Sequence, residues 1–326
     1  MAGPLKPLLL LPLLLTACGT EAAPLRTPAT AQWIDALEQQ ALADGVSPQT
    51  VHAALDAFTP DPRVVEADRK QPETRMSFAA YRHHIVSADR IREGRRLMHR
   101  YGSELATLES RTGVPAALIV ALWGMESSYG GNSGDFEIVR SLTTLVWEGR
   151  RADYFTVELI AALHILDDEG RMPSDLRGSW AGAMGQCQFM PTTYRRYAVD
   201  EDGDGRRDIW KSTPDVLASI ATYLAAEGWQ RKLPWGWDVT REGAWPSDLA
   251  QGIDVSRPLP EWKAQGLKER EGTVLPDDSL SVSFLRPDPE GAAFLVTDNL
   301  RALLRWNHSI SFALGAGLLA DQIGKP

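Results

Sequence analysis

The feature that most constrains how this chain can fold is a run of ten uncharged residues, 116–125, that ends directly at Glu126. The run is apolar on every side of a helix, so it belongs in a core with other elements packed around it. Pro115 precedes it, at a position where the first turn of a helix tolerates proline. We therefore predict a buried central helix that carries a carboxylate at its end.

Most of the remaining chain is also predicted to be helical, because apolar residues recur at spacings of three and four from Gln32 onward. The composition changes near Leu233, and short β-prone runs lie between residues 273 and 297. Helical spacing returns over residues 300–323. We expect a mainly α fold, of the α+β kind, with a small β element in the C-terminal third.

The charge balance excludes one class of partner. The chain of 326 residues contains 34 Lys and Arg against 43 Asp and Glu, a formal net charge of −9. A surplus of negative charge opposes binding to nucleic acid through overall basic charge. We expect no nucleic-acid partner.

Two cysteines cannot form a disulfide framework, and no Cys/His spacing resembles a zinc site.

Residues 1–17 are predicted to be a signal peptide. Lys6 supplies one positive charge before the apolar run 8–15, which is shorter than the roughly 20 residues that span a bilayer. Residues 15–19 (LTACG) look like a lipobox, in which Cys18 becomes the lipidated first residue of a lipoprotein. Ordinary cleavage with an unmodified Cys18 is the alternative.

Residues 18–31 are small, polar and proline-containing, and we predict that they tether the lipid to a domain that spans residues 32–326. Gly19 follows the cysteine and, by resemblance to bacterial lipoproteins, favours the outer membrane. The predicted location is therefore periplasmic, with a lipid anchor in the outer membrane.

Glu126 is the most informative single residue of the sequence. A carboxylate attached to so apolar a segment should be partly desolvated, which disfavours its charged form and raises its pKa. An acid that keeps its proton near neutral pH can donate it to a leaving oxygen. Tyr129-Gly130-Gly131 would end the helix just past the acid, so that it faces a cleft. A buried structural glutamate paired with an arginine is the alternative.

Three blocks of sequence carry a resemblance to a known family. Residues 123–130 (WGMESSYG) resemble the Glu-Ser motif of lysozyme-like lytic transglycosylases. Residues 179–191 (SWAGAMGQCQFMP) look like the signature of the membrane-bound lytic murein transglycosylase B family, glycoside hydrolase family 103. Residues 306–309 (WNHS) form a third block. The resemblance extends from about residue 32 to residue 323 and implies a lysozyme-like catalytic domain.

The resemblance implies cleavage of the MurNAc–GlcNAc β-1,4 bond of peptidoglycan without water, leaving 1,6-anhydroMurNAc ends. Glu126 would be the single general acid and base, whereas ordinary glycosidases use two carboxylates. Glu158 is a rival acid, for which a structural salt bridge is the favoured interpretation. The implied partners are glycan strands, the membrane through the lipid anchor, and proteins of cell-wall synthesis or remodelling. No cofactor would be required for catalysis.

The same resemblance implies a set of substrate contacts. Trp306 stands where relatives often have tyrosine, so stacking on a sugar is expected to survive while a hydroxyl contact is lost. The two arginines of the set could bind the lactyl carboxylate or the peptide stem. Core packing or solvated charge is the alternative for each tyrosine and arginine. The full set is Tyr81, Arg150, Arg151, Ser179, Gln186, Gln188, Tyr223, Trp306 and Asn307.

Residues 200–211 (DEDGDGRRDIWK) resemble an EF-hand-like calcium loop. Gly205 occupies position 6, where the sharp turn needs glycine, but position 12 is Lys211 instead of a bidentate acid. This deficit predicts a weakly bound structural Ca²⁺ or Na⁺ ion, and a solvated acidic turn is the alternative. The predicted ligands are Asp200, Asp202, Asp204, the carbonyl of Arg206, and Asp208.

Two other functions compete with this interpretation. One is a lysozyme-type hydrolase that admits water and leaves a reducing end. The other is a non-catalytic lipoprotein that binds peptidoglycan. Cys187 is expected to be an inert thiol near the cleft, because no basic group adjoins it in sequence.

Overall fold

The computed structural model describes residues 28–70, 76–246, 249, 251–270, 274–276 and 278–325. Cys18, the predicted signal peptide and most of the predicted tether lie outside these residues. The described part of the chain contains fourteen α-helices, one short 3₁₀-helix and seven short strands. The helices are α1 (Pro28–Ala43), α2 (Pro48–Leu55), α3 (Pro62–Arg69), α4 (Phe78–Ile85), α5 (Ala88–Arg100), α6 (Gly102–Thr112), α7 (Ala116–Ser127), α8 (Ile138–Glu148), α9 (Ala152–Glu169), α10 (Pro191–Tyr197), α11 (Thr213–Ala226), α12 (Leu259–Ala264), α13 (Asn299–Trp306) and α14 (Ile310–Ile323). The strands are β1 (Phe136–Glu137), β2 (Arg177–Gly178), β3 (Gly236–Arg241), β4 (Ser256–Pro258), β5 (Leu267–Glu269), β6 (Ser281–Leu285) and β7 (Ala293–Val296). The prediction of a mainly helical chain is confirmed.

The predicted central helix is α7. Its residues 118–124 are all buried, and α5, α6, α11 and α14 pack around it. Gly113, in the left-handed conformation with φ 78°, ends α6, and Pro115 stands at the N-cap of α7. The all-round apolar character of this segment therefore corresponds to contacts on all sides.

Two helices end or begin at positions that matter for the site. α13 ends at Trp306, and Ser309 caps α14 by accepting the backbone N–H of Phe312. α14 then crosses the core beside α7, so the chain after residue 306 is fixed against the helix that carries Glu126.

A five-stranded antiparallel sheet of order β4-β6-β7-β3-β5 packs on the helices. Side chains alternate between its two faces. On β7, Phe294 and Val296 join the main helical core, whereas Ala293 and Leu295 join a second core around Trp262 of α12. The sheet is therefore buried on both faces at β7.

The sheet is larger than the β element predicted between residues 273 and 297. That segment holds β6 and β7, but β3, β4 and β5 lie between residues 236 and 269. β4 and β5 have only three residues each, which is too short for an alternating pattern to be recognised. A second strand pair, β1 with β2, joins two segments of the helical part.

The helical part also begins earlier than predicted. α1 starts at Pro28, so residues 28–31 of the predicted tether are helical. These residues show no apolar periodicity, and proline is tolerated in a first helical turn. Among the described residues, no single helix is long and apolar enough to cross a membrane. α6 and α7 reach that length together, but they are bent by 109° at their junction.

Candidate active site

Glu126 lies in the last turn of α7, immediately before a sharp reversal of the chain. Ser128, Tyr129 and Gly130 all have positive φ, at 52°, 60° and 85°. The backbone N–H of Asn132 returns to the carbonyl of Ser127 at 2.8 Å. The helix therefore stops directly after the acid, as the sequence predicts.

The surroundings of Glu126 favour its protonated form. The side chain is only partly exposed, and burial raises its pKa from 4.5 to about 7, against a smaller lowering by a hydrogen bond from Trp306. That bond runs from the indole Nε1–H of Trp306 to Oε1 of Glu126 at 2.7 Å. Glu126 can therefore carry a proton near neutral pH and lose it to a basic leaving group.

Groups near Glu126 respond to its charge. Burial, and then the Glu126 charge, raise the pKa of Tyr81 to about 12. Burial, with the Glu126 charge second, also raises the pKa of the Cys187 thiol well above its ordinary value. Cys187 is fully buried with its Sγ 3.5 Å from the carbonyl of Val216, which fits an inert thiol.

Trp306 belongs to a cluster of aromatic rings. Its ring centroid lies 4.8 Å from that of Tyr223 and 5.3 Å from that of Phe189. Tyr197 also packs against Tyr223, with ring centroids 4.8 Å apart. Tyr223 is buried, whereas Asn307 is exposed and its Oδ1 accepts the N–H of Ser309. Trp306 thus contacts Glu126 directly, and Tyr223 packs on Trp306. Tyr81 lies near enough for the Glu126 charge to raise its pKa.

The glycine-rich block 179–191 forms a compact loop beside the end of α7. Ser179 accepts the backbone N–H of Ala183 through its Oγ at 3.0 Å. Gln188 has φ 51° and donates from its amide to the carbonyls of Ser133 and Gly185, at 3.0 and 2.9 Å. The small residues and the positive φ values hold this loop folded on itself.

Gln186 links this loop to α7. Its Oε1 accepts the indole N–H of Trp123 at 2.8 Å, and its Nε2 donates to the carbonyl of Trp210 at 2.8 Å. A β-carbon at Gly130 would come within 2.4 Å of Gln186 Oε1, so glycine is required where the loop after α7 crosses the amide. Both ends of the Gln186 amide thus bond to the protein, and this bridge between α7 and the loop was not predicted.

Arg150 and Arg151 lie at the junction of α8 and α9. Their Nη2 atoms are 2.5 and 3.4 Å from Oδ1 of the buried Asp68, and Arg151 also stacks over Phe155. Their contacts within the described residues are made with this cluster and not with the groups around Glu126.

The rival acid Glu158 is buried, with 4% of its surface exposed. Its carboxylate accepts the backbone N–H and the hydroxyl of Thr192, at 3.0 and 2.8 Å, in the first turn of α10. The salt bridge favoured from the sequence is replaced by these hydrogen bonds from a threonine, and a structural role for Glu158 stays a prediction.

The acidic loop 200–211 brings three of its carboxylates together. Oxygens of Asp200, Asp202 and Asp204 all lie within 4.8 Å of one another. Asp208 instead accepts the backbone N–H groups of Trp210 and Lys211, at 2.9 and 3.0 Å. Three carboxylates at this spacing, with the backbone carbonyl that Arg206 could add, fit a hard cation that prefers oxygen ligands.

Asp215 holds this loop in place and was missed from the sequence. It is fully buried at the start of α11, and its carboxylate accepts the N–H groups of Glu201 and Asp208, at 2.9 and 2.7 Å. It lies outside the twelve-residue loop pattern, so only its position in a first helical turn could have indicated a capping role.

A family model for the transglycosylase SLT domain matches residues 29–321. The chain is also similar to membrane-bound lytic murein transglycosylase B of Escherichia coli, with 32% identity over 247 residues. That alignment covers 74% of this chain and 66% of the relative, so the chain spans slightly less than two thirds of its length.

Solved structures agree with this assignment. SltB3 of Pseudomonas aeruginosa in complex with NAG-NAM-pentapeptide is 44% identical, with a TM-score of 0.86 over 91% of this chain and 80% of that one. The lytic transglycosylase Slt35 of Escherichia coli in complex with calcium is 28% identical, with a TM-score of 0.76 over 91% and 92%. The resemblance predicted from the three sequence blocks is confirmed. Because the family match extends over nearly the whole described chain, this protein belongs to the transglycosylase SLT domain family.

Proposed function

We propose that this chain is a lytic transglycosylase that cleaves the MurNAc–GlcNAc β-1,4 bond of peptidoglycan and leaves 1,6-anhydroMurNAc ends. The observation that carries the proposal is the position of Glu126: it is partly exposed at the end of α7, in surroundings whose burial raises its pKa to about 7. The relative SltB3 was solved with NAG-NAM-pentapeptide, a fragment of the proposed substrate.

In the proposed reaction, Glu126 gives its proton to the glycosidic oxygen while the bond from that oxygen to the MurNAc anomeric carbon breaks. The 2-acetamido group of the substrate stabilises the positive charge that develops at the anomeric carbon. The 6-hydroxyl oxygen of the same MurNAc then bonds to the anomeric carbon, and the hydroxyl proton passes to Glu126. No water is consumed, and the enzyme ends in its starting protonation state.

One carboxylate is sufficient for this sequence of steps. Burial and the Trp306 hydrogen bond account for the pKa of Glu126, and no second carboxylate among the described residues contributes to it. A two-carboxylate glycosidase would place another acid within reach of the same sugar. The mass of the products separates transglycosylation from hydrolysis by a paired-acid mechanism.

The proposed glycan groove lies along the residues that surround Glu126 and the folded loop. Tyr81 and Tyr223 offer ring faces and hydroxyl groups, Trp306 offers a ring face, and Ser179, Gln188 and Asn307 offer polar groups. Gln186 supports the loop rather than the sugar. Contact of Arg150 and Arg151 with the lactyl group or the peptide stem stays a prediction, since each would share its guanidinium with Asp68.

We further propose that Cys18 is lipidated and that the enzyme acts from the periplasmic face of the outer membrane. The lipobox-like sequence at residues 15–19 supports this, and the Escherichia coli relative is described as membrane-bound. Recruitment by cell-wall synthesis or remodelling proteins stays a prediction.

We also propose that the loop 200–211 binds a structural Ca²⁺ or Na⁺ ion weakly. The clustered oxygens of Asp200, Asp202 and Asp204 support it, and the relative Slt35 was solved with calcium. Lys211 at position 12 withholds the bidentate acid of a tight site.

The test is mass spectrometry of purified sacculi digested by the soluble domain, beside a Glu126→Gln variant. We expect anhydro-ended fragments from the native enzyme, each lighter by one water than a hydrolase product. The variant should bind sacculi without releasing fragments. Reducing ends would indicate a lysozyme-type hydrolase, binding without products would indicate a wall-binding protein, and native lysis by the variant would remove Glu126 from the mechanism.

A further inference from the structure

The hydrogen bond between Trp306 and Glu126 is made by side chains that are tightly held. The Trp306 indole packs against Tyr223 and Phe189, with ring centroids 4.8 and 5.3 Å away. Its neighbour Arg305 is fixed by Glu227, whose carboxylate lies 3.1 Å from Nε and whose backbone carbonyl accepts the same N–H at 3.0 Å. The indole N–H is therefore aimed at Oε1 of Glu126 by the fold.

An indole nitrogen can only donate a hydrogen bond, since it has no acceptor lone pair. The oxygen that it contacts must therefore accept. Of the two oxygens of a protonated carboxyl group, the carbonyl oxygen is the stronger acceptor, so the 2.7 Å bond favours Oε1 as the carbonyl oxygen. The acid proton then resides on Oε2.

We infer that Trp306 is a positioning residue that assigns the catalytic proton to Oε2 of Glu126 and holds that oxygen toward the sugar. The inference rests on the proposed function. Oε2 would donate its proton to the glycosidic oxygen as the glycosidic bond breaks, and later accept the proton of the 6-hydroxyl. Oε1 would stay bonded to Trp306 throughout, so only one oxygen of the carboxyl group exchanges protons.

Trp306 would also stabilise the charged state that follows proton donation. A hydrogen bond to an ionised acceptor is stronger than one to a neutral acceptor. Burial raises the pKa of Glu126, and Trp306 accordingly lowers it by a smaller amount. The indole thus limits how basic the carboxylate becomes after it has lost its proton.

A tyrosine at this position would act differently. A phenol hydroxyl can both donate and accept, so it would allow the proton on either oxygen of Glu126. It would nevertheless restore a donor to the carboxylate. This difference allows the role of the N–H to be separated from the packing of the ring.

The test compares Trp306→Phe and Trp306→Tyr with the native soluble domain. The phenylalanine keeps an aromatic ring against Tyr223 but has no N–H. We expect the alkaline limb of kcat/KM, measured by release of soluble muropeptides, to move upward by about one pH unit. The plateau of kcat should fall about tenfold. Trp306→Tyr should return the limb toward the native position.

Trp262→Phe is the matched control. Trp262 lies in the second core, and its indole N–H donates to the carbonyl of Val282 at 2.8 Å. The control loses the same kind of bond at a site remote from Glu126, so its stability should fall while the pH limb stays in place.

A second readout does not depend on activity. Titration of the Glu126 carboxyl by ¹³C NMR, assigned by comparison with Glu126→Gln, should give a higher pKa in Trp306→Phe than in the native protein. If the pKa and the pH limb are unchanged in a folded Trp306→Phe variant, the inference is wrong even if anhydro products form. If the pKa rises but the native protein releases no anhydro products, the proposed function fails and the role of Trp306 stands.

Discussion

The ring of Tyr129 lies directly on Gly124, so that a β-carbon at Gly124 would come within 2.5 Å of the phenol Cζ. The Tyr129 hydroxyl donates to the carbonyl of Arg90 at 2.7 Å. A β-carbon at Gly94 would lie 2.7 Å from the oxygen of that Tyr129 hydroxyl. The chain after Glu126 is thus folded back onto the helix that carries it. Two glycines on α5 and α7 leave the space for this reversal.

Gly124→Ala should therefore disturb both stability and activity. The added methyl group must displace the Tyr129 ring, and overpacking of this kind costs about 1–3 kcal/mol of unfolding free energy. Because Glu126 lies one turn before the displaced loop, kcat should also fall. Urea unfolding and muropeptide release measure the two effects.

Gly102→Ala is the control for this substitution. A β-carbon at Gly102 meets no atom within 4 Å, so the unfolding free energy should change by less than about 0.5 kcal/mol. Equal unfolding midpoints for both variants would mean that the contact between Gly124 and Tyr129 is looser than the structure indicates.

Glu126→Gln should make stability depend less on pH. The pKa of Glu126 is raised from 4.5 to about 7, so between these values the folded state binds more protons than the unfolded state. Native stability therefore falls as pH rises through this window. The variant carries no titrating group at this position. It should exceed the native protein in stability at pH 8 by up to about 3 kcal/mol, and by much less at pH 4.

Denaturant unfolding at the two pH values measures this difference. The pH 4 pair acts as an internal control, because the carboxyl group is largely protonated in both states there. A stability gap that is the same at both pH values would show that the amide changes packing and that Glu126 is not desolvated.

The local features of the active site were predictable from the sequence. The burial of α7 follows from ten uncharged residues, and the position of Glu126 at its end follows from the residues that stop the helix. Both depend on neighbours in the chain, which periodicity and turn chemistry describe directly.

The long-range contacts of the site were not predictable in this way. Trp306 is 180 residues from Glu126, and Asp68 is 82 residues from Arg150. In each case a polar group is satisfied by a partner that only the fold brings close. Trp306 was predicted as a stacking surface, and its hydrogen bond to the acid became apparent only in the structure.

Glu158 offers a test of whether a second carboxylate takes part in the reaction. Glu158→Ala leaves the backbone N–H and hydroxyl of Thr192 without their acceptor, and an unpaired buried group costs about 1–3 kcal/mol of unfolding free energy. The kcat of the folded variant should stay within about twofold of native, since Glu158 caps α10 and is buried. A loss of kcat as large as that of Glu126→Gln, in a folded protein, would make Glu158 catalytic.

Lys211→Glu should convert the acidic loop into a tighter calcium site. Position 12 of such loops supplies a bidentate acid, and an ammonium group there both withholds two ligand oxygens and repels the cation. Asp200, Asp202 and Asp204 already place oxygens within 4.8 Å of one another. We expect calcium to raise the melting temperature of the variant at concentrations at least about tenfold lower than for the native protein.

Lys211→Gln is the matched control, because it removes the positive charge without adding a carboxylate. A response in Lys211→Gln equal to that in Lys211→Glu would assign the gain to charge alone, and no calcium response in any of the three proteins would leave the loop as a solvated acidic turn held by Asp215.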